Sequence, residues 1–274
     1  MKSSDISNNR INLIAGSGKF ALEVAQFLKN KGKLNKIILI QKNNKISNHF
    51  VDLCYEIDIR FIEKIISYIN KSGSNKILII GYVNIPKISQ IKLNLRSKLF
   101  FTKDFFSNNI NEQSLILKRF LISKKFNLIS QKKIFKELLI RKDENIIKFK
   151  HRKIVKEIVS NSKIYKNLFK LNLFQSFIQN GNRIIAFEDI HGTDKMIKRI
   201  GGDSFNYNKM IFFKSKKSNQ IDEIDFPVIG IDTINLLIKY NFKAVCLFNN
   251  EIIVSNKKKF LDTIRLSDLS LIVL

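Results

Sequence analysis

Apolar positions along the chain follow two alternating rhythms. Ile11 to Ala15 is a short run closed by Gly16-Ser17-Gly18, after which Phe20, Val24, Phe27 and Leu28 return at helical spacing. That pattern predicts a buried strand, a tight loop and a helix. Lys36 to Gln41 supplies a second strand, Ile59 to Asn70 an amphipathic helix, and Lys76 to Ile80 a third strand that stops at Gly81. Strands alternating with helices predict a parallel sheet, and such sheets take ligands beyond the carboxyl ends of their strands. Gly16 to Gly18 and Gly81-Tyr82 are therefore expected to face one crevice.

From about Ile85 to Lys170 the spacing becomes mainly helical, with basic faces at Lys118-Arg119, Lys132-Lys133 and Lys153-Lys156, as on a solvated surface or a lid. Beyond Asn180 the alternation resumes: strand Arg183 to Phe187, helix Asp194 to Ile200, strand Met210 to Lys214, helix Ile231 to Tyr240, strand Lys243 to Leu247. The fold class is α/β with two domains. A Rossmann-like parallel sheet is expected over 11–130 and a C-terminal α/β domain over 131–274, after a flexible N-terminus of residues 1–10. The boundary is weakly marked, because proline occurs twice and glycine ten times.

Composition narrows the function classes. With 274 residues, 45% hydrophobic and 26% charged, the chain is long enough for a substantial core and unlike a disordered one. The formal net charge of +26 fits nucleic acid, because clustered cations neutralise phosphates. Lys, Asn and Ile saturate the whole chain, however, and the cations are spread rather than banked, as an AT-rich genome would produce. A third reading rests Lys148 to Lys170 on anionic lipid headgroups, each basic residue near the surface contributing about 1 kcal/mol. Cys54 and Cys246 lie far apart without zinc-site spacing and are expected as reduced core residues. Met1 to Arg10 lacks an apolar h-region, and no window approaches the ~18 apolar residues of a membrane span, so a cytoplasmic protein is expected.

Candidate chemistry starts at Gly16-Ser17-Gly18-Lys19-Phe20-Ala21, which fits GxGxxA. A dinucleotide site also wants an acid at the end of the second strand, where Gln41-Lys42 stands. A P-loop would need glycine at Leu13 and a hydroxyl at Phe20. Two readings remain: backbone amides and a helix N-terminus approaching a phosphate, or a tight turn without ligand. Asp225 lies just before Pro227 and the helix that opens near Asp232-Thr233, where a carboxylate coordinates Mg²⁺ or orients water; Asp232 reads as the helix cap. Thr193, in Gly192-Thr193-Asp194, is placed to cap a helix and to touch a phosphate, and Lys214 and Lys217 to neutralise a pyrophosphate. His49, His151 and His191 form no spaced ligand set.

In order and spacing these pieces resemble the LpxI-type UDP-2,3-diacylglucosamine pyrophosphatases. The residues carrying the resemblance are Ala15-Gly16-Ser17-Gly18, Gly81-Tyr82-Val83-Asn84-Ile85-Pro86, Gln175-Ser176, Glu188 with Gly192-Thr193-Asp194, Lys214-x-x-Lys217-x-Asn219-Gln220, and Asp225-Phe226-Pro227-x-x-Gly230-x-x-Thr233. Departures are Ser17 for glycine, Ala21 for proline, Phe174 for glycine, His191 for glutamate, Ser218 for proline, Ile221 for aspartate and Glu223 for arginine. The resemblance implies metal-assisted hydrolysis, with Mg²⁺ or Mn²⁺, of a UDP-linked glycolipid held between two domains, the C-terminal one catalytic. It implies Asp225 as catalytic carboxylate and metal ligand, and Gly16, Ser17, Gly18, Gly81 and Tyr82 lining the nucleotide crevice. Gln175, Gly192, Thr193, Asp194, Lys214 and Lys217 are the remaining substrate contacts. A peripheral place on the inner membrane surface, a homodimer and no nucleic-acid partner go with that reading. Phe100-Phe101, Phe105-Phe106 and Phe169 to Phe177 are candidates for an acyl groove, against the alternative that they are core. A basic nucleic-acid-binding protein and a nicotinamide-dependent oxidoreductase remain the competing classes.

Overall fold

The computed structural model describes residues 9–41, 44–81, 92, 110–202 and 209–274. The N-terminus up to residue 8, Tyr82, and the pairs Phe100-Phe101 and Phe105-Phe106 lie outside the described residues. Contacts divide the chain into two units, Met1–Ile134 with Ile221–Asp225, and Phe135–Gln220 with Phe226–Leu274.

In the first unit β1 (Ile11–Ala15) leads into α1 (Lys19–Asn30), β2 (Leu34–Leu39), α2 (Asn44–His49), β3 (Cys54–Glu56), α3 (Ile62–Lys71), β4 (Lys76–Ile80), α4 (Ile110–Ser123), β5 (Asn127–Leu128) and α5 (Gln131–Ile134). The strands form one sheet in the order β3-β2-β1-β4-β5, every neighbouring pair parallel. The sequence order reverses between β1 and β4, and at such a switch point the loops leaving the two strands part to opposite faces and open a crevice. β2 begins at Leu34, two residues ahead of the expected start, because Leu34 pairs with Ile11. Helix α1 buries Ala21, Val24, Ala25 and Leu28, and α3 buries Ile62, Ile65, Ile66 and Ile69. Both stripes follow the 3.6-residue period. Asn12 is the polar exception in β1. Its amide donates to Ser72 Oγ at 2.9 Å and the Ser74 carbonyl at 2.8 Å, and its Oδ1 accepts from Asn35 at 3.0 Å, so burial leaves none of these atoms unpaired. Cys54 is half-buried on the edge strand rather than in the core, and burial pushes its thiol up to about 11.

The second unit contains α6 (Arg152–Ser160), α7 (Ser162–Lys170), β6 (Ser176–Asn180), β7 (Arg183–Phe187), α8 (Thr193–Gly201), β8 (Met210–Lys214), β9 (Val228–Ile229), α9 (Ile231–Lys239), β10 (Ala244–Leu247), β11 (Ile253–Val254), α10 (Lys257–Leu266) and β12 (Ser270–Val273). Its larger sheet runs β12-β10-β8-β6-β7, and β9 pairs β11 separately. β10 is parallel to β8 and β12, whereas β6 is antiparallel to both β8 and β7, which makes the sheet mixed. The β6–β7 hairpin turns through Gly181-Asn182 with Gly181 at φ 58°, a conformation that glycine adopts without steric cost.

Two expectations are refined here. The mainly helical stretch holds over 110–134 and 152–170, but residues 135–151 form no α-helix, only three single 3-10 turns joined by extended pieces. Ile140 N–H donates to Ile252, and Ile146 bridges Leu271 with antiparallel register, so this strap is built into the second unit. Phe169, Phe174 and Phe177 form no groove: 1%, 7% and 0% exposed, they pack with Tyr165, Phe213 and Phe248 in one aromatic core. The Phe177 and Phe213 rings stack at 4.6 Å.

Candidate functional site

The carboxyl edge of the first sheet is shaped by backbone. Gly16 N–H donates to the Ile80 carbonyl at 2.8 Å, tying the end of β1 to the end of β4. Gly18 follows at φ 117° as the N-cap of α1, with no side chain capping that helix. Gly81 leaves β4 at φ 91°, and a Cβ built on it would stand 2.6 Å from the Ser17 carbonyl oxygen and 3.2 Å from the Gly16 carbonyl carbon. The two glycine loops are therefore in contact at the switch point, and only a residue without a side chain fits their junction.

Asp225 belongs to this unit and not to the C-terminal one. Gln131 joins the two pieces of chain: its side-chain amide donates to the Ile79 carbonyl at 2.9 Å, and its backbone N–H to the Asp222 carbonyl at 2.9 Å. Ile224 packs against the first unit's core, and Lys118 pairs with Glu223 at 3.0 Å. Within the turn, Asp225 N–H closes onto the Ile221 carbonyl at 2.9 Å. The turn that carries Asp225 is thus fastened to the strand end that leads into Gly81. Glu223, where the resemblance expects arginine, has a structural partner in Lys118.

The second unit presents side chains at the corresponding edge of its sheet. Lys214 ends β8 with only 4% of its surface exposed. Its ammonium donates to Thr193 Oγ1 at 3.0 Å and lies 3.9 Å from Glu188. Thr193 Oγ1 in turn donates to Glu188 Oε1 at 2.8 Å, and Ser176 Oγ donates to Glu188 Oε2 at 2.8 Å. Cross-strand pairing makes the cluster: Ser176 stands opposite Lys214 in the β6–β8 register. Thr193 does not cap α8. Gly192, at φ 86°, holds the N-cap, leaving the threonine hydroxyl to Glu188. Asp232 likewise sits in the first turn of α9, whose N-cap is Gly230.

The other expected residues divide. Asp194 Oδ1 accepts from Thr233 Oγ1 at 2.7 Å, joining the first turns of α8 and α9. Gln175 offers its backbone carbonyl to Ser215 N–H at 3.1 Å. Lys217 uses its N–H on Gln220 Oε1 at 2.9 Å within the loop after β8. The loop before α8 is fixed by Asp189, which accepts from His191 N–H at 2.8 Å and from Arg199 at 2.9 Å. Those bonds, the backbone one first, hold the Asp189 carboxyl below the usual carboxylate range.

A second cluster escaped the sequence reading. Ser215, next after Lys214, donates to Glu251 Oε2 at 2.6 Å, and Lys166 is hydrogen-bonded to Glu251. The available signal was the polar Asn249-Asn250-Glu251 loop at the carboxyl end of β10. Among the described residues no three His, Cys, Asp or Glu side chains converge as a metal cage. Mg²⁺ keeps several waters and takes its remaining ligands from one or two carboxylates and a phosphate, and the half-buried Asp225 suits that mode.

A parallel sheet with a glycine junction at its switch point, followed by a mixed sheet with an embedded lysine, defines a two-unit α/β protein of Rossmann-like type. Family models of the LpxI N-terminal domain and the LpxI C-terminal domain match residues 10–138 and 145–272. The chain belongs to the LpxI family, which points to lipid A biosynthesis. No curated protein matches the chain. No helix among the described residues is long and apolar enough to cross a membrane.

Proposed function

We propose that the chain hydrolyses UDP-2,3-diacylglucosamine to UMP and 2,3-diacylglucosamine 1-phosphate. Water adds to one phosphorus of the pyrophosphate, the bridging P–O bond breaks, and the two monophosphates separate. The observation that carries this reading is the fastening of the Asp225 turn, through Gln131, to the strand end beside the Gly16–Gly81 junction.

The glycine loop Gly16 to Gly18 brings phosphate to the positive end of the α1 dipole, and Gly81 admits the substrate close to the chain. Asp225 orients the attacking water and accepts its proton. Thr193 and Lys214 bind phosphate or sugar, with Glu188 fixing the threonine hydroxyl; Gln175, Gly192, Asp194 and Lys217 complete the contacts. Pyrophosphate cleavage needs mainly positioning and neutralisation of spreading negative charge. Mg²⁺ or Mn²⁺, held by Asp225 and the substrate, supplies Lewis-acid neutralisation when bound.

Purified protein is expected to release UMP from the defined lipid substrate when Mg²⁺ or Mn²⁺ is added, and chelation to stop it. Release of any nucleotide other than UMP, or none under either metal, refutes the reading.

A further inference from the structure

We infer that the outer face of the α6–α7 helical pair docks on an anionic lipid surface. This goes beyond the hydrolytic reading and does not depend on it. On α7 and its C-cap, Ile164 and Leu171 stand seven residues apart on one side of the helix, with Leu168 between them partly buried against the aromatic core. Tyr165 and Phe169 fill the inward side, and Ile164 and Leu171 are left at the outward margin. Ile164 is 58% exposed and Leu171 59%, and Leu173 just beyond the helix is 76% exposed. One position back run Lys163, Asn167 and Lys170, all exposed. Val159, at the end of α6, is 52% exposed near the exposed Lys156.

Charge selects the partner. Residues 148–173 carry seven lysines and Arg152 against Glu157; Lys150 pairs with Asp268 and Lys166 with Glu251, and the exposed Arg152, Lys153, Lys156, Lys163 and Lys170 still leave an excess of positive charge. Two copies of such a face repel one another, which argues against a dimer through it. Single-stranded nucleic acid takes a series of aromatic platforms for its bases, whereas the outward residues of α7 are aliphatic and Phe149, the one exposed ring of this segment, lies before α6 with the Arg152 guanidinium 4.6 Å from its centre. Short aliphatic side chains flanked by lysines are what an interfacial helix needs. The apolar stripe enters the acyl boundary while the lysine stems reach back to the headgroups.

The test is sedimentation of the full chain with phosphatidylethanolamine vesicles containing phosphatidylglycerol, and with phosphatidylcholine vesicles. The chain is expected on the anionic vesicles and not on the neutral ones. The doubly substituted Lys163→Gln, Lys170→Gln protein, altered only at exposed positions, should bind about 30-fold more weakly, roughly fivefold per lysine. The Ile164→Asn, Leu171→Asn protein should lose about tenfold, with its folding checked by thermal melting. Equal sedimentation of the wild type with both vesicles overturns the inference, as does undiminished binding by the lysine variant. Self-association abolished by the apolar pair without vesicle binding would give the face to a second copy. Duplex binding lost in the lysine variant without vesicle binding would give it to nucleic acid. Either result overturns the inference, and none of these readouts involves turnover.

Discussion

The two units reach a polar sheet edge by opposite means. In the first, main chain makes the edge: Gly16, Gly18 and Gly81 bring strand ends and a helix start together with no side chain between them. In the second, Ser176, Glu188, Thr193 and Lys214 make it with side chains around one embedded ammonium. A backbone-built edge is broken by adding atoms, and a side-chain-built edge by removing a charge.

The largest effect is expected at the backbone edge. Gly81→Ala places a Cβ 2.6 Å from the Ser17 carbonyl at a φ of 91°. Strain and overlap together should cost about 3 kcal/mol of stability, read by denaturant unfolding. Any protein that still folds should fail to be stabilised by UDP in a thermal shift. A fully UDP-responsive Gly81→Ala protein would show that the junction is not where the nucleotide goes.

Next comes Glu188→Gln. It leaves the Lys214 ammonium, almost wholly buried, without its countercharge and weakens the hold on Ser176 and Thr193, so a loss of about 2 kcal/mol is expected. Urea midpoints of the two proteins check it. An unchanged midpoint would mean that the cluster adds nothing to the fold.

A pH effect distinguishes the second unit again. His151 is buried with its Nδ1 2.9 Å from Ser270 Oγ, and burial first, then Lys150, Lys243 and Lys148, lower its pKa against a small opposing effect of Asp268. Burial therefore favours the neutral imidazole in the folded chain, hydrogen-bonded to the serine. The unfolded chain takes up the proton first as pH falls below the ordinary histidine value of about 6.5, so stability declines from there down to the lowered folded value. Melting temperature followed from neutral to acid pH should fall more steeply in the wild type than in His151→Gln; parallel curves would contradict this.

The smallest stability effect belongs to Lys118→Ala. Its partly exposed pair with Glu223 contributes about 0.5 kcal/mol. Turnover should drop more than stability, because the pair holds the turn that carries Asp225. Equal small effects on both would reduce it to a surface contact.

Much of this fold was legible in the sequence where apolar runs are sharply bounded. β1, β4, β7 and β8 begin and end at the residues the apolar runs indicate, because these runs stop sharply at glycine or polar neighbours. β6 was not legible: an aromatic-rich stretch looks alike as strand, core or groove, and only pairing with β8 decides. Residues 135–151 share the helical spacing, yet their local bonds close only single 3-10 turns, and Ile140 and Ile146 bond instead to Ile252 and Leu271, far along the chain. At the site, Gly16 and Gly81 were foreseen as neighbours, since loops leaving adjacent parallel strands share an edge. The attachment of Asp225 to the first unit was not, because Gln131 and Lys118 carry no local sign that they reach across to residues 222 and 223. Glu188 was quoted without a role for the same reason: its importance lies in Ser176, Thr193 and Lys214 converging on it.

The most direct measurement compares UMP release from UDP-2,3-diacylglucosamine by the wild type and by Asp225→Asn, at equal folding stability and with Mg²⁺ present. Turnover should fall at least about a hundredfold in the variant while UDP still raises its melting temperature, as loss of a catalytic proton acceptor requires. An unchanged rate in Asp225→Asn would contradict the role given to that carboxylate.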